Sequence, residues 1–231
     1  MAYRVDHKEA SETLMGAVVG MLLGDASVIT HYKSPTRQAY LQLKHSTKQE
    51  AYALYKAELL RQLTHVRVQK SESYDKRTGQ TYEAISVVTR CHPFYTRLRE
   101  AFYPAGHKVI DPFWLERLDE RGLALWFLDD GSTSETQCYL ATLAFSWPDN
   151  YLLSRFIWNR FGIHANVRRH AGRGQPILYI PAKSRQRLRE ILLPYAQFTN
   201  MIYKVPNERP LESSGVMRQS DPPSNRGAMQ K

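Results

Sequence analysis

Three carboxylates stand where helix electrostatics opposes them. Asp25 ends the apolar run Leu14 to Leu23, and Asp129 and Asp130 end a second run, Leu123 to Leu128. Both runs read as helices, so all three acids fall at C-termini, where the macrodipole disfavours a negative charge by several tenths of a kcal/mol. A divalent cation reverses that balance, because Mg2+ takes oxygen from one or two carboxylates and completes its shell with water and substrate phosphate. An acid followed by glycine is also an ordinary helix stop, but a stop does not account for the same ending twice. Aligning Asp25 with Asp130 superposes Leu22 on Phe127, Leu23 on Leu128 and Ala26 on Gly131, a repeat of 105 positions in a chain of 231. A repeat at about half the chain length indicates two like units, each contributing one acid to a shared centre.

The elements that position these acids follow from the same two runs. Each is shorter than the roughly 20 apolar residues that span a bilayer, so both are expected to be buried helices. In the first, Gly16, Gly20 and Gly24 recur every fourth residue and line one face, at about 1 kcal/mol each in helix propensity. A stripe without side chains lets another helix backbone approach closely. The second run is the expected partner.

The segments Leu-Leu-Gly-Asp-Ala (22–26) and Ala-Leu-Trp-Phe-Leu-Asp-Asp-Gly (124–131) resemble the paired motifs of single-chain LAGLIDADG homing endonucleases. Gly20 and Asp25 stand at the family's glycine and acid positions. The second motif departs by carrying Leu125 at the glycine position, as the family's Trp-Phe-x-Asp-Asp-Gly branch does. The resemblance covers residues 11–206. It implies an α+β fold of two pseudo-symmetric αββαββα halves, with the motif helices at the central interface and antiparallel sheets forming a saddle over DNA. It also implies a monomer that cuts both strands of a long asymmetric target across the minor groove and leaves short 3′ overhangs. Such enzymes are usually encoded in an intron or intein, and a free-standing, intron-encoded form is expected here. Two alternatives exist on the same fold: an intron maturase that binds host intron RNA, and a DNA-binding protein that has lost cleavage. The presence of both acids argues against a purely binding role.

Periodicity along the chain fits two halves, residues 1–110 and 111–210, followed by a polar tail over 211–231 that cannot bury enough surface to order itself. Ser11 caps the first motif helix. A hairpin about Lys33–Arg37, a helix over Lys48–Leu63, a second hairpin about Asp75–Gly79 and a helix over His92–Tyr103 complete one unit. Asp111-Pro112 opens a short helix and Asp119 caps the second motif helix. The second unit then offers a strand over Gln137–Phe145, a helix over Asp149–Phe161, a hairpin about Ala171–Gly174 and a helix over Ser184–Tyr195.

A net charge of +10 and a pI near 9.6 indicate a polyanionic partner, since Lys and Arg gain affinity by displacing counterions from phosphates. No basic amphipathic helix argues for a membrane surface, and residues 1–10 lack the apolar core of a signal peptide. The expected location is intracellular: bacterial cytoplasm, or an organelle in a eukaryote. Cys91 and Cys138 stand far apart without a metal or disulfide pattern.

Hydrolysis of a phosphodiester needs an activated water, charge neutralisation and leaving-group stabilisation, which cations held by carboxylates can supply. Asp25 and Asp130 are therefore read as ligands of Mg2+, with Mn2+ or Ca2+ able to substitute in binding, and Asp129 as a support or cap. The resemblance adds Lys108, in Gly-His-Lys-Val-Ile-Asp-Pro, and Lys204, in Tyr-Lys-Val-Pro, as matched catalytic cations, one per half. His45 and Ser146, at comparable strand ends, are candidates for ordering water. A two-stranded ribbon fits the major groove of double-stranded DNA, which assigns DNA contacts to Lys33, Arg37, Gln42, Lys44, Arg67, Lys70, Lys76 and Arg77 in the first half. Arg168, Arg169, His170 and Arg173 are their counterparts in the second. Trp114, Trp126, Trp147 and Trp158 are expected to fill cores.

Overall fold

The computed structural model describes residues 9–30 and 38–207. Ser11 caps the first helix, α1 (Glu12–Leu23), its hydroxyl accepting from the Leu14 amide at 3.2 Å, with Glu12 in the favourable first turn. The chain continues through β1 (Ser27–Thr30), β2 (Ala39–Ser46), one 3-10 turn (Thr47–Gln49), α2 (Glu50–Arg61), β3 (Val66–Asp75), β4 (Gln80–Thr89) and α3 (Pro93–Phe102). A short linking helix, α4 (Pro112–Leu115), is capped by Asp111 as expected. The second half repeats the order: α5 (Glu120–Asp130), β5 (Gly131–Thr133), β6 (Cys138–Leu140), α6 (Trp147–Phe161), β7 (Asn166–Arg169), β8 (Pro176–Tyr179) and α7 (Ala182–Ala196). Each half is thus αββαββα, with antiparallel sheets in the matching orders β1-β2-β4-β3 and β5-β6-β8-β7.

The strands bury alternate residues. Along β2, Ala39, Leu41, Leu43 and His45 face the helices, whereas Tyr40, Gln42, Lys44 and Ser46 face away. The helix side of the sheets and the seam between the halves share one apolar core, leaving each sheet one open polar face.

At the seam, α1 and α5 meet backbone to backbone. A Cβ on Gly20 would overlap the carbonyl of Gly122, and one on Gly122 would overlap the carbonyl of Gly16. Gly122, one turn before Leu125, therefore supplies the bare surface that the second motif lacks at its expected glycine position. Asp119 holds this turn, its carboxylate accepting from the Gly122 amide at 2.7 Å.

Several expectations need correction. The strand over Gln137–Phe145 reduces to Cys138–Leu140, because the chain turns at Thr142–Phe145, with the Phe145 amide bonded to the Thr142 carbonyl at 3.0 Å. Trp114 and Trp126 are buried, but Trp147 is half-buried and Trp158 is 46% exposed, stacked on His164 at 3.9 Å. The expected tail and the turn carrying Lys33 and Arg37 lie outside the described residues. No helix among the described residues is long and apolar enough to cross a membrane.

Because no side chain can yield at the seam, Gly20→Ala should destabilise the fold by ~3 kcal/mol, a melting temperature lower by roughly 6–12 °C. Gly172→Ala, whose new Cβ would lie 3.8 Å from the His170 ring, should leave the transition in place when both are followed by thermal denaturation.

Candidate active site

The close seam brings the two acid-tipped helix ends together. The main-chain amide of Asp25 donates to Oδ2 of Asp129 at 3.2 Å, so the acids of the two halves are neighbours. Gly24 leaves the room for this approach, since a Cβ there would lie 2.5 Å from the same Asp129 oxygen.

Lys108 and Lys204, the two lysines singled out in the sequence, reach equivalent main-chain carbonyls. Lys108 Nζ donates to the carbonyl of Gly24 at 3.2 Å, and Lys204 Nζ to the carbonyl of Asp129 at 2.5 Å. Gly24 and Asp129 occupy equivalent places, each just before its half's acid. Each ammonium therefore neutralises the negative helix end directly beneath Asp25 or Asp130. Burial lowers Lys108 to about 8 against the pull of the three acids, and lowers Lys204 as well.

The two carboxylates are both shifted upward. Burial, then the charges of Asp25 and Asp129, raise Asp130 from the ordinary 3.8 to about 7, with Lys108 and Lys204 opposing. Burial and then Asp129 raise Asp25. Carboxylates whose charge burial and neighbouring acids disfavour form a hard oxygen donor set of the kind Mg2+ or Mn2+ takes. Asp25 and Asp130 thus fit such an ion.

A second cluster resembles a metal site but is already filled. Ligand atoms of Asp25, His45 and Asp129 lie within 4.8 Å of one another. Between two of them sits the ammonium of Lys56, wholly buried, 2.5 Å from Oδ1 of Asp129 and 3.1 Å from Nε2 of His45. It also lies 4.3 Å from the Tyr52 ring centroid, and the Tyr52 hydroxyl donates to the Leu125 carbonyl at 2.8 Å. Burial, then Lys56, depress His45 to about 4, so its imidazole is neutral. Asp129 is accordingly a support for the seam, as expected. Ser146 is no counterpart of His45, because its hydroxyl is taken up by a capping box with Asp149 at the start of α6.

From each acid a cleft runs across the open face of its own sheet. The first is lined by Asp25, Ser27, Gln42, Lys44, Arg67 and Gln69, the second by Asp130, Ser132, Tyr139, Arg168 and Ile177 among others. Pairing explains the lining: Gln42 and Arg67 both lie opposite Val88 across neighbouring ladders, so their side chains share a face. Arg168 stacks on Tyr179, its guanidinium carbon 3.6 Å from the ring centroid.

Lys70 belongs to the other face and pairs with Glu50 of α2 at 2.8 Å, so period two removes it from the expected set. Arg169 likewise leans toward Trp147 and donates to the Gly174 carbonyl, although it reaches the rim of the cleft, as does His170. Lys76, Arg77 and Arg173 are exposed at the hairpin tips. Gln69, Ser132 and Tyr139 were not singled out from sequence, though strict alternation from Arg67 finds Gln69. Lys56 was also missed. Its signal is a lysine four residues after Tyr52 and three before Leu59, inside the apolar stripe of α2.

The model of the LAGLIDADG DNA endonuclease family matches residues 15–188. The chain belongs to that family. Among curated relatives of this family member, the probable intron-encoded endonuclease 1 of Wickerhamomyces canadensis is 24% identical over 198 residues, 81% of either chain. The intron-encoded endonuclease ai4 of Dictyostelium discoideum is 28% identical over 125 residues, 54% of this chain and 78% of that protein. Protein RecA of Mycobacterium gastri is 23% identical over 192 residues; this chain spans 77% of its own length there but only 43% of that protein's. The fold matches that of the homing endonuclease I-WcaI, solved bound to its DNA recognition sequence, with a TM-score of 0.75 and 22% identity over 86% of this chain and 88% of the other.

Because the folded protein holds the Asp130 proton more tightly than the unfolded chain, the metal-free protein should lose stability as pH rises from about 4 to about 7, and level off above. Asp130→Asn removes that loss. In the presence of chelator it should melt on the order of 3 °C above wild type at pH 8 and together with it at pH 4. An equal offset at both pH values would contradict the assignment.

Proposed function

We propose that the protein is a monomeric homing endonuclease that makes a site-specific double-strand break in a long asymmetric DNA target by divalent-metal-dependent hydrolysis, leaving 3′ overhangs. The observation that carries this reading is the meeting of Asp25 and Asp130 at one seam, each with a lysine on the carbonyl beneath it and a basic cleft leading away from it. Both halves lie in one chain, so a single copy holds two reaction centres and two unlike sheet faces, which suits an asymmetric site.

Asp25 and Asp130 would hold the metal. A bound divalent cation supplies charge neutralisation at the scissile phosphate and a water acidified for attack. The chain's own residues do the rest. Lys108 and Lys204 keep the helix ends from repelling the incoming phosphate, and their ammonium groups are placed to orient water or to offset charge as it develops on the phosphate oxygens. Gln42, Gln69 and Arg168 sit on open faces where base edges can be read, whereas Lys44, Lys76, Arg77 and Arg173 add phosphate contacts that position the duplex.

The target is obtained by selection from a randomised DNA library in Mg2+ followed by mapping of the cut ends. On that site, Asp25→Asn and Asp130→Asn should each reduce double-strand cleavage by at least about 100-fold while Kd for DNA changes less than about threefold, and chelator should abolish wild-type cutting until Mg2+ is restored. Full cutting by either variant removes the site assignment. Binding without nicks points to the inactive DNA-binding alternative, and binding to intron RNA alone points to the maturase.

The faces can be tested separately. Lys44→Ala and Arg173→Ala should each weaken binding and flatten the salt dependence of log K by roughly one unit for every phosphate no longer neutralised. Lys70→Ala should leave both unchanged.

A further inference from the structure

The two reaction centres have differently charged surroundings. Ser27 pairs with Gln42 and Ser132 with Tyr139, and both serines stand two residues after their acids. Three positions further along, His45 in the first half therefore corresponds to Thr142 in the second. Thr142 is buried and donates to Oδ1 of Asn150 at 2.5 Å, and the Asn150 amide group in turn reaches the carbonyls of Phe145 and Ser146. That network is neutral and closed. His45 instead meets the buried ammonium of Lys56, which is paired to an acid from the opposite half.

From Lys56 two non-covalent paths converge on Asp25, one through the Asp129 carboxylate and one through His45, whereas Asp130 is joined to the pair only through the main chain that follows Asp129. Oδ1 of Asp129 accepts from Lys56 while Oδ2 accepts from the Asp25 amide. On the other path an ammonium can only donate, so Nε2 of His45 accepts and its proton is left on Nδ1, which lies 3.8 Å from Oδ2 of Asp25. A buried ion pair of this kind is rarely better for stability than apolar side chains of the same volume. What it supplies is orientation: one rotamer for Asp129, one tautomer for His45, and through both a fixed place for Asp25.

We propose that Lys56 is a positioning residue for the first-half reaction centre alone, so that cleavage of one DNA strand depends on it and cleavage of the other does not. This rests on the endonuclease reading above. Lys56→Met by itself strands the Asp129 charge and is expected to weaken the fold. The informative protein is therefore Lys56→Met/Asp129→Asn, which removes both charges together.

With the mapped target labelled differently on each strand, single-turnover cleavage is followed in saturating protein and Mg2+. The double variant should bind DNA with unchanged Kd and cut one strand at least tenfold more slowly, with the other within about threefold of wild type, so that nicked duplex accumulates. Equal slowing of both strands, or wild-type rates on both, overturns the proposal. An independent reading needs no variant: nitrogen NMR of wild type at pH 7 should show His45 protonated on Nδ1 and bare on Nε2, and the opposite tautomer overturns it. If wild type nicks neither strand, the endonuclease reading fails; if wild type cuts and the double variant keeps its strand ratio, only this inference does.

Discussion

Two helix backbones lie against each other at the centre of the protein with only glycine hydrogens between them, and the rest of the structure depends on that approach. At Gly20 and Gly122 there is no side chain on either helix to hold the pair apart. The cost in helix propensity is offset by burial on both flanks, where Val18, Val19, Leu22 and Leu23 of one helix and Leu123 to Leu128 of the other are almost wholly excluded from water. The seam ends at the acids. Beyond Gly24 the helices stop, their carbonyls point outward, and three carboxylates share a space that burial and the dipoles make hostile to charge.

The protein answers that hostility in two ways. Asp129 is given an internal partner, the ammonium of Lys56, and its side chain is shut off from solvent altogether. Asp25 and Asp130 are left incompletely compensated, because Lys108 and Lys204 bond to the carbonyls beneath them rather than to the carboxylates. One lysine thus sets Asp129 apart, in a buried ion pair, from the two acids that end the motif repeat.

The halves share an architecture without sharing every detail. The β3–β4 ribbon runs ten residues a side and projects past the helices that cover its base, so both its faces near the tip are exposed, whereas β7 and β8 run four. A ribbon of the first kind reaches farther along a groove than one of the second, which gives the two clefts unequal spans. The matching strand positions differ likewise: His45 meets the Lys56 ammonium, whereas Thr142 meets the neutral Asn150 amide. Duplication supplies the frame, and these differences make the two ends of the site distinct.

Much of this is written in local chemistry and could be read directly. Ser11, Asp111 and Asp119 cap the helices that their types announce, and the acid-tipped repeat names Asp25 and Asp130, because capping and apolar periodicity depend on near neighbours in the chain. Strand length at Cys138–Leu140, the side of the ribbon on which Lys70 and Arg169 fall, and the solvent-facing place of Trp158 depend on pairing register and on what packs above, which residue types alone do not specify. The seam shows the division clearly. The sequence by itself determined that a bare helix face and two acids exist; only the tertiary structure decided that Gly122 completes the seam and that Lys56 claims Asp129, because each partner lies about 70 or more residues away along the chain and is chosen by distance in space.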